Sequence, residues 1–527
     1  MTNPISDIEK ADVILVTGSN TTETHPVISS YIKRAVKFGG KKLICLDPRR
    51  IDLKNHAHIS LSPKPGTDIA WINGMIRLII EEGLADDAFI SQRTEGFDEM
   101  MKAVAPYTPE YVEEITGIPA SDLTRAALLY ASADAASIFY CMGITQHTKG
   151  TDNVKSLANL AMLCGNMGIE GGGVNPLRGQ NNVQGACDMG GLPDVYPAYR
   201  KVHLEEHAKA MELAWGVDGL SRKPGLTATE MVDEALKGTL KALYIIGENP
   251  LVSEADLNHT EKGFKNLDFL VVQDIFMTET ARVADVVLPS LCFAEKEGTF
   301  SNTERKVQRV RKAVNGPNGT RADWEITADI ARRMGFDMDY ASGSEIFDEM
   351  AASTPSYKGL SWKRLENGGI SWPCPTADHP GTPILHVGKF TKGVGTFHAI
   401  SWTPAAEIPD NDYPLTLTTG RVLYHYHTGT MTRKSDGLNH QAPECFVEMS
   451  RADAAEYGLK DGDMVKVASR RGGIKARVKV SRKMEKGTIF LPFHFAEAAA
   501  NRLTNAKLDP ISKIPEFKVC AVTLIKL

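Results

Sequence analysis

The chain has 527 residues, of which 42% are hydrophobic and 24% charged, and its formal net charge is −5 at pH 7. This length is too great for one hydrophobic core and predicts roughly three or four domains, while the mild acidity gives no reason to expect nucleic acid as a partner. No apolar run approaches the ~18 to 20 residues that span a bilayer, and the polar start of the chain does not resemble a signal peptide. The composition predicts a multidomain globular protein with no membrane span of its own.

The eight cysteines are scattered along the chain and form no Cys-x-x-Cys pair. Zinc sites and iron–sulfur clusters are usually bound through such closely spaced pairs. The pattern therefore predicts reduced, mostly buried thiols and no metal site among these residues.

A strand–helix–strand pattern opens the chain. Residues 11–18 form an apolar strand, a helical stretch runs to Lys37, and a second strand covers residues 42–48. Such units build parallel sheets, and ligands bind where the strands end. The strand ends carry four candidate ligand-binding residues: Gly18, Asn20, Asp47 and Arg49. They predict a nucleotide half-site, although the absence of Gly-x-Gly-x-x-Gly argues against NAD.

The rest of the first domain reads as further α/β structure. Pro65-Gly-Thr-Asp68 begins a helix, for which Thr67 or Asp68 is the predicted N-cap. Residues 86–135 continue as helical scaffold, and residues 136–146 form a buried strand that ends in a glycine loop.

The segment 175–191 has neither a helical nor a strand period. Its arginine and amide side chains lie between glycines, which is typical of a loop that binds a ligand; a polar surface turn is the alternative. Arg178 is the only cation between Lys155 and Arg200. A single guanidinium among amides suits one planar carboxylate or phosphate.

A second α/β set begins with strands at residues 243–247 and 269–274. Gly247-Glu-Asn repeats the pattern of Gly18-Ser-Asn and predicts a second nucleotide half-site. Residues 291–400 are interpreted as a polar connecting region, in which the cations between 305 and 312 form a solvated face.

Short alternating strands at residues 413–419, 464–468, 474–480 and 488–492 predict a C-terminal β-barrel. Within this region, the pattern places His425 and His427 on one face of an extended segment. Two such histidines are more often surface residues than metal ligands.

The predicted fold class is α/β, with two doubly wound α/β domains, a connecting region and a terminal β-barrel. The predicted boundaries are 1–180, 181–290, 291–400 and 401–527.

The segment Pro176–Gly190 closely resembles a segment of the catalytic subunits of molybdenum-dependent formate dehydrogenases. Similar stretches recur along nearly the whole chain: Gly18-Ser-Asn20, 47–49, 93–97, 247–251, 272–278, 284–289 and 512–522. The resemblance implies a molybdopterin oxidoreductase-like fold. It also implies a molybdenum or tungsten ion held by two pterin guanine dinucleotides, which takes two electrons from formate and releases carbon dioxide, or runs in reverse.

The resemblance also implies roles for particular residues. One dinucleotide would be held by Gly18, Asn20, Glu23, Asp47, Arg49, Gly66 and Asp68. The residues shared between the two dinucleotides would be Gly143, Gln146, Gly247, Glu248, Asn249, Gln273, Asp274, Thr278, Arg421, His425, Asn501 and Lys518, and Gln180 would be a further cofactor contact. Arg178 would lie beside the metal and pair with the formate carboxylate.

The family carries cysteines for a 4Fe-4S cluster, followed by a cysteine or selenocysteine that ligates the metal, and this chain begins after them. We expect both features, and any export signal, to lie upstream of Met1. A selenocysteine UGA codon read as a stop would produce such a start; a split subunit is the alternative. On this expectation the chain alone does not turn over formate. Its partners would be electron-transfer subunits with iron–sulfur or flavin centres, in the cytoplasm.

Two other functions compete with this interpretation. A non-catalytic scaffold subunit of the same superfamily is disfavoured by the intact Arg178 loop and the two half-sites. A nicotinamide dehydrogenase is disfavoured by the missing glycine fingerprint and by the second half-site.

Overall fold

The computed structural model describes the whole chain, residues 1–527. Its internal contacts define two compact units. The first comprises Met1–Leu177, Val252–Asn258 and Ile384–Leu527, and the second comprises Arg178–Leu251 and His259–Pro383. Because these units combine distant parts of the sequence, they do not test the four predicted domain boundaries, which stay a prediction.

A five-stranded parallel sheet organises the first part of the first unit. Across the sheet the strands are Ile59–Leu61, Lys42–Leu46, Val13–Thr17, Ala136–Tyr140 and Val174–Pro176. All five residues of the central strand Val13–Thr17 are buried. Parallel strands covered on both faces read as continuous apolar runs, which is why the sequence located three of these strands correctly.

Helices surround this sheet, and Asp68–Glu81 is the most deeply buried of them, with Trp71 fully inaccessible. The other helices of this part are Thr21–Thr24, Pro26–Gly39, Asp87–Arg93, Phe97–Val104, Pro109–Thr116, Ala120–Ala131, Met142–Thr145 and Gly150–Leu163. Thr67 occupies the N-cap position of the buried helix without a side-chain cap bond. The Asp68 carboxylate instead accepts a 3.3 Å hydrogen bond from Trp71 Nε1. Thr67 is therefore the N-cap residue, as one of the two predicted alternatives, but its side chain makes no cap bond.

A closed six-stranded barrel forms the C-terminal part of the first unit. Around the barrel the strands are Leu415–Gly420, Thr488–Pro492, Phe446–Ser450, Gly472–Ser481, Met464–Ser469 and Cys520–Lys526. Buried and exposed residues alternate along Gly472–Ser481, as a barrel wall requires. Two short helices, Asp436–Gln441 and Arg451–Glu456, accompany the barrel. The predicted barrel is confirmed.

The second unit contains a three-stranded parallel sheet with the order Val286–Pro289, Phe269–Asp274, Ala242–Ile246. A small antiparallel sheet follows, formed by Gly298–Ser301, Lys306–Val310 and Ile370–Ser371. The helices are Val183–Asp188, Glu205–Trp215, Ala228–Lys237, Asp323–Arg333 and Gly343–Ser353; Pro250–Ser253 and Leu257–Lys265 lie at the ends of the segment 252–258. The last two helices of the second unit fall inside the predicted connecting region, which is therefore not irregular throughout.

The predicted solvated face at residues 305–312 is wrong for Arg305 and Arg309, whereas Arg311 and Lys312 are exposed as predicted. Arg305 is only 2% exposed and donates hydrogen bonds to the carbonyl oxygens of Thr382 and Pro383, at 2.9 and 2.6 Å. Arg309 stacks over the Trp362 ring, with the guanidinium carbon 3.7 Å from the ring centroid. Carbonyl oxygens and an aromatic face compensate these buried guanidinium groups.

None of the helices is both long and apolar enough to cross a membrane.

Asp453 provides a test of the barrel. Its buried carboxylate accepts hydrogen bonds from Ser450 Oγ, at 2.7 Å, and from the Gly487 backbone N–H, at 3.1 Å. We expect Asp453→Asn to lower the free energy of unfolding by about 1–3 kcal/mol, because the amide cannot accept both sets of bonds. A thermal melt measures this as a lower midpoint, and the exposed Asp412→Asn serves as control. Equal midpoints for the two variants would contradict the role assigned to Asp453.

Candidate active site

Gly18 and Gly143 meet backbone to backbone at the ends of two strands of the first sheet. The Gly143 N–H donates a 2.9 Å hydrogen bond to the Gly18 carbonyl oxygen. A Cβ on Gly143 would lie 2.5 Å from Gly18 Cα, and Gly18 itself has a left-handed φ of +56°. Only two glycines can make this contact, which explains their presence at the predicted half-site.

The second strand end carries a buried charge cluster. The Asp47 carboxylate accepts a 2.8 Å hydrogen bond from the Arg49 backbone N–H, and burial raises the pKa of the Asp47 carboxyl. Lys54 Nζ donates to the Asp47 carbonyl oxygen and to Ser62 Oγ, at 2.6 and 2.7 Å. Sequence reasoning missed Lys54, because a single lysine after the strand carries no recognisable pattern.

Arg49 joins this strand end to the barrel. Its Nη2 donates to Glu448 Oε2 at 2.7 Å, and its guanidinium carbon lies 3.5 Å from the centroid of the Phe490 ring. Arg49 Nε is buried without a hydrogen-bond partner. The guanidinium is thus fixed by the fold while one donor stays available.

His147 lies between the carboxylates of Asp68 and Glu516, and sequence reasoning missed it. Its Nε2 is 2.8 Å from the Gly143 carbonyl oxygen and 3.9 Å from Asp68 Oδ2, while its Nδ1 is 3.9 Å from Glu516 Oε1. Burial raises the pKa of the Asp68 carboxyl, and the charge of His147 opposes that rise. The one available signal was its position directly after Gln146 in the glycine loop.

Lys518 and Arg421 supply positive charge to the same part of the first unit. Lys518 Nζ donates a 2.7 Å hydrogen bond to the Thr419 carbonyl oxygen. Burial lowers the pKa of Lys518 to about 8, with smaller effects from the charges of Arg421, Asp47 and Arg49. These four predicted residues are therefore close enough to influence one another electrostatically.

The segment that carries His425 and His427 is not extended, contrary to the prediction. The barrel strand ends at Gly420, and His427 has a left-handed φ of +48°. His425 is buried and its Nε2 lies 2.7 Å from the Ala442 carbonyl oxygen. Burial lowers the pKa of His427 to about 4 and that of His494 to about 3, so both rings are neutral at pH 7.

Asn501 holds the segment 252–258 within the first unit. Its Nδ2 donates to the carbonyl oxygens of Val252 and Ser253, at 3.0 and 2.9 Å, while its Oδ1 is buried without a partner. Asn20 Oδ1 is also buried without a partner.

Of the remaining predicted residues of the first unit, Glu23 lies in the short helix Thr21–Thr24, Gly66 in a turn and Gln146 at the end of a helix. Glu23 lies 4.0 Å from Lys483 Nζ, and the Gly66 carbonyl oxygen accepts a 2.9 Å bond from Trp402 Nε1. Gln146 is the C-cap of the short helix Met142–Thr145, which contains Gly143, and its N–H donates to the Met142 carbonyl oxygen at 3.0 Å.

The second half-site lies at the ends of the parallel strands of the second unit. Gly247 has a left-handed φ of +65° with open space around it, and Glu248 beside it is exposed. Both polar atoms of the Asn249 side chain have partners within the second unit. Its Oδ1 accepts a hydrogen bond from Thr280 Oγ1 at 2.8 Å, and its Nδ2 donates to Glu279 Oε2 at 2.7 Å.

The next strand of this sheet ends at Gln273 and Asp274. Gln273 Nε2 donates a 2.7 Å bond to Asp323 Oδ1. The Asp274 carboxylate accepts from the Ile275 N–H at 2.6 Å, and burial raises the pKa of the Asp274 carboxyl. Thr278 Oγ1 accepts from the Ala281 N–H at 3.1 Å. Gly247, Glu248 and Asp274 are thus better placed for a ligand than Asn249 and Gln273, whose amides already have partners.

The predicted site loop contains regular structure. Residues Val174–Pro176 form the edge strand of the first sheet, and Val183–Asp188 form a short helix of the second unit. Arg178 Nη1 lies 3.5 Å from Cys187 Sγ, and the Gln180 carbonyl oxygen accepts a 3.4 Å bond from the Val183 N–H. The glycines and amides hid these short elements from periodicity analysis.

No group of three or more His, Cys, Asp or Glu side chains is arranged to hold a metal ion. A cavity of about 570 Å³ borders Arg470, Arg471 and Lys507 in the first unit. None of the predicted site residues lines it, and both arginines pair with Glu407. This cavity is separate from the candidate site.

Comparison with known families defines the class of protein. Residues 1–333 match the family described as molybdopterin oxidoreductase, and residues 415–521 match the domain described as molydopterin dinucleotide binding domain. The first match covers more than half of the chain, and the chain belongs to the molybdopterin oxidoreductase family.

Individual relatives cover nearly the whole chain. The F420-dependent formate dehydrogenase subunit alpha of Methanocaldococcus jannaschii is 51% identical, and the match covers 100% of this chain and 78% of that protein. Formate dehydrogenase H of Escherichia coli is 41% identical, with coverage of 99% and 74%. The solved structure of acetylene hydratase from Pelobacter acetylenicus covers 99% of this chain and 81% of its own, with a TM-score of 0.80 at 20% identity. That likeness confirms the predicted fold class.

The residues present fit a dinucleotide cofactor. Three of the buried polar atoms without a hydrogen-bond partner belong to predicted ligand-binding residues: Asn20 Oδ1, Arg49 Nε and Asn501 Oδ1. A buried polar atom without a partner costs about 1–3 kcal/mol, and native proteins rarely tolerate it. A polar ligand with both donors and acceptors would satisfy these atoms.

The contact between the two glycines can be tested by Gly143→Ala. The new Cβ would press on Gly18 and separate the two strand ends, so we expect the purified protein to lose most of its bound dinucleotide. Guanine and molybdenum analysis measures this loss. Gly437→Ala is the control, because a Cβ at that position meets open space. Full cofactor content in Gly143→Ala would show that the glycine contact does not shape the ligand site.

Proposed function

We propose that this chain is the catalytic part of a formate dehydrogenase. The enzyme removes two electrons and a proton from formate to give carbon dioxide, or catalyses the reverse reaction. The main observation in support is the Arg178 segment, in which one arginine is flanked in the sequence by amide residues and its Nη1 lies 3.5 Å from the thiol sulfur of Cys187. The two relatives described above are named formate dehydrogenases, at 51% and 41% identity.

Arg178 binds the formate carboxylate. Formate offers only two oxygens and one C–H. A planar guanidinium that donates two parallel hydrogen bonds to these oxygens binds formate and at the same time fixes the direction of its C–H bond. A lysine at this position would supply charge without that orientation. When bound, the cofactor's molybdenum or tungsten accepts the two electrons of the oxidised formate.

The two half-sites hold the two pterin guanine dinucleotides. In the first unit, the Gly18 and Gly143 backbones approach one ligand, Lys518 and Arg421 neutralise phosphate charge, and the Asp68 carboxylate accepts from ligand N–H or O–H groups. In the second unit, Gly247 offers the close backbone approach, with Glu248 and Asp274 as polar contacts. The predicted domains 1–180 and 181–290 then each provide one half-site, and the barrel domain 401–527 provides the cations.

A scaffold subunit without a cofactor fits the chain less well. The Arg178 segment and the two half-sites favour a protein that binds the cofactor and a substrate. We also propose that the metal ligand and a 4Fe-4S cluster complete the enzyme, and that electrons pass to a subunit with iron–sulfur or flavin centres.

Arg178→Lys tests the substrate site in the complete catalytic subunit. We expect a higher KM for formate and a lower kcat, together equivalent to about 2–4 kcal/mol, because the bidentate contact is lost. Cofactor content should stay unchanged. Steady-state kinetics with a dye acceptor, combined with molybdenum analysis, measures both.

Arg309→Lys is the matched control, because Arg309 stacks on Trp362 in the same unit and belongs to no predicted site. It should lower the thermal midpoint while KM stays normal. If Arg178→Lys loses its cofactor while the residual holoenzyme keeps a normal KM, Arg178 holds the cofactor and the proposed substrate site is wrong.

The pH dependence of ligand binding tests Lys518. The pKa of its ammonium in the ligand-free protein is about 8, and a bound phosphate would raise it. Affinity for a guanosine diphosphate probe should therefore be greatest below pH 8. Above pH 8 it should fall by up to about tenfold per pH unit, because binding must then take up a proton. Lys518→Arg should remove this decline, since arginine stays charged. Equal pH profiles for both proteins would argue against a phosphate contact.

A further inference from the structure

The Asp188 carboxylate is the centre of a buried hydrogen-bond network in the second unit. Its Oδ1 accepts from Gln184 Nε2 at 2.7 Å and from the Tyr199 hydroxyl at 2.8 Å, and its Oδ2 accepts from the Tyr357 hydroxyl at 2.7 Å. Asp188 and Tyr357 are each 1% exposed. Three donors converge on one carboxyl group, which is the arrangement that an ionised carboxylate requires.

This network holds one end of the helix Val183–Asp188, and a second contact holds the other end. Asn182, which precedes the helix, accepts a 2.9 Å hydrogen bond at Oδ1 from the Ser301 N–H. Ser301 Oγ in turn lies 2.7 Å from the Tyr357 hydroxyl. Both ends of this short helix are therefore fixed to the same pair, Ser301 and Tyr357. A helix of six residues has little stability of its own, so these contacts determine its position.

The helix carries the residue that contacts Arg178. Cys187, one position before Asp188, places its Sγ 3.5 Å from Arg178 Nη1. The Arg178 backbone N–H donates to Thr303 Oγ1 at 3.1 Å, two positions after Ser301. The helix Val183–Asp188 thus contacts the Arg178 guanidinium, and the segment after Ser301 binds the Arg178 backbone.

We propose that Asp188 is a positioning residue for Arg178, and that it sets the affinity for formate without touching formate. This inference rests on the proposed function of Arg178. A carboxylate that only stabilised the second unit would instead affect the melting temperature and leave substrate binding alone.

The experiment replaces Asp188 in the complete, cofactor-loaded catalytic subunit. Asp188→Asn keeps the shape but cannot accept three hydrogen bonds with the strength of a carboxylate. We expect KM for formate to rise roughly tenfold, as for the loss of one charge-assisted hydrogen bond, with a smaller change in kcat and unchanged molybdenum content. Cys187 should also react faster with a maleimide, measured for its peptide by mass spectrometry, because the helix that buries it is less firmly held.

Tyr357→Phe provides a second variant in case Asp188→Asn folds poorly. It removes one donor to Asp188 and the contact with Ser301, so KM and Cys187 alkylation should change in the same direction by smaller factors. Asp453→Asn is the matched control, because it neutralises an equally buried carboxylate of the barrel. It should lower the melting temperature while KM and the alkylation of Cys187 stay unchanged.

The double variant Asp188→Asn/Arg178→Lys separates the possible failures. If Asp188 acts through the guanidinium, the KM of the double variant should be close to that of Arg178→Lys alone. If Arg178→Lys alters KM but Asp188→Asn changes only the melting temperature, the inference is overturned and the proposed function stands. If Arg178→Lys itself leaves KM unchanged, the proposed function fails.

Discussion

The candidate site of the first unit depends on one steric constraint, the contact between Gly18 and Gly143. Two neighbouring strands of a parallel sheet normally end in loops that side chains keep apart. Here neither residue has a Cβ, so the backbone before the helix Thr21–Thr24 touches the backbone of the helix Met142–Thr145. Parallel sheets offer ligand sites at their strand ends in general, and the missing Cβ atoms bring two of these strand ends into direct contact.

The same unit contains ionisable side chains whose burial disfavours their charged forms. Asp47, Asp68, Lys54 and Lys518 all have pKa values moved by burial in the direction that disfavours their charged forms. Structural ion pairs are usually arranged so that attraction offsets this cost. Buried groups with shifted pKa values are also typical of functional sites. The barrel contributes to the same group of charges through Arg421 and Lys518.

The sequence predicted strands and loops correctly where the pattern that defines them lies within a few consecutive residues. Strands such as Val13–Thr17 and Ala136–Tyr140 read as continuous apolar runs because both faces of their sheet are covered, and the glycines after them mark the loops. The environment of Arg305 could not be predicted, because the carbonyl oxygens that bury it belong to Thr382 and Pro383, nearly eighty residues later. His147 was missed for the same reason, since one of its carboxylates, Glu516, comes from the far end of the chain.

The first unit is built from three segments that are distant in the sequence, and this affects how the protein folds during translation. Arg49 donates a hydrogen bond to Glu448, and Asn73 Nδ2 donates to the Ile400 carbonyl oxygen. Asn501 Nδ2 donates to the carbonyl oxygens of residues 252 and 253. The first sheet emerges from the ribosome long before any of these partners exist, at a translation rate of roughly 5–20 residues per second. The unit can close only after its C-terminal barrel has been translated. The nascent chain therefore passes through an intermediate in which the polar side chains of Arg49 and Asn73 lack their final partners.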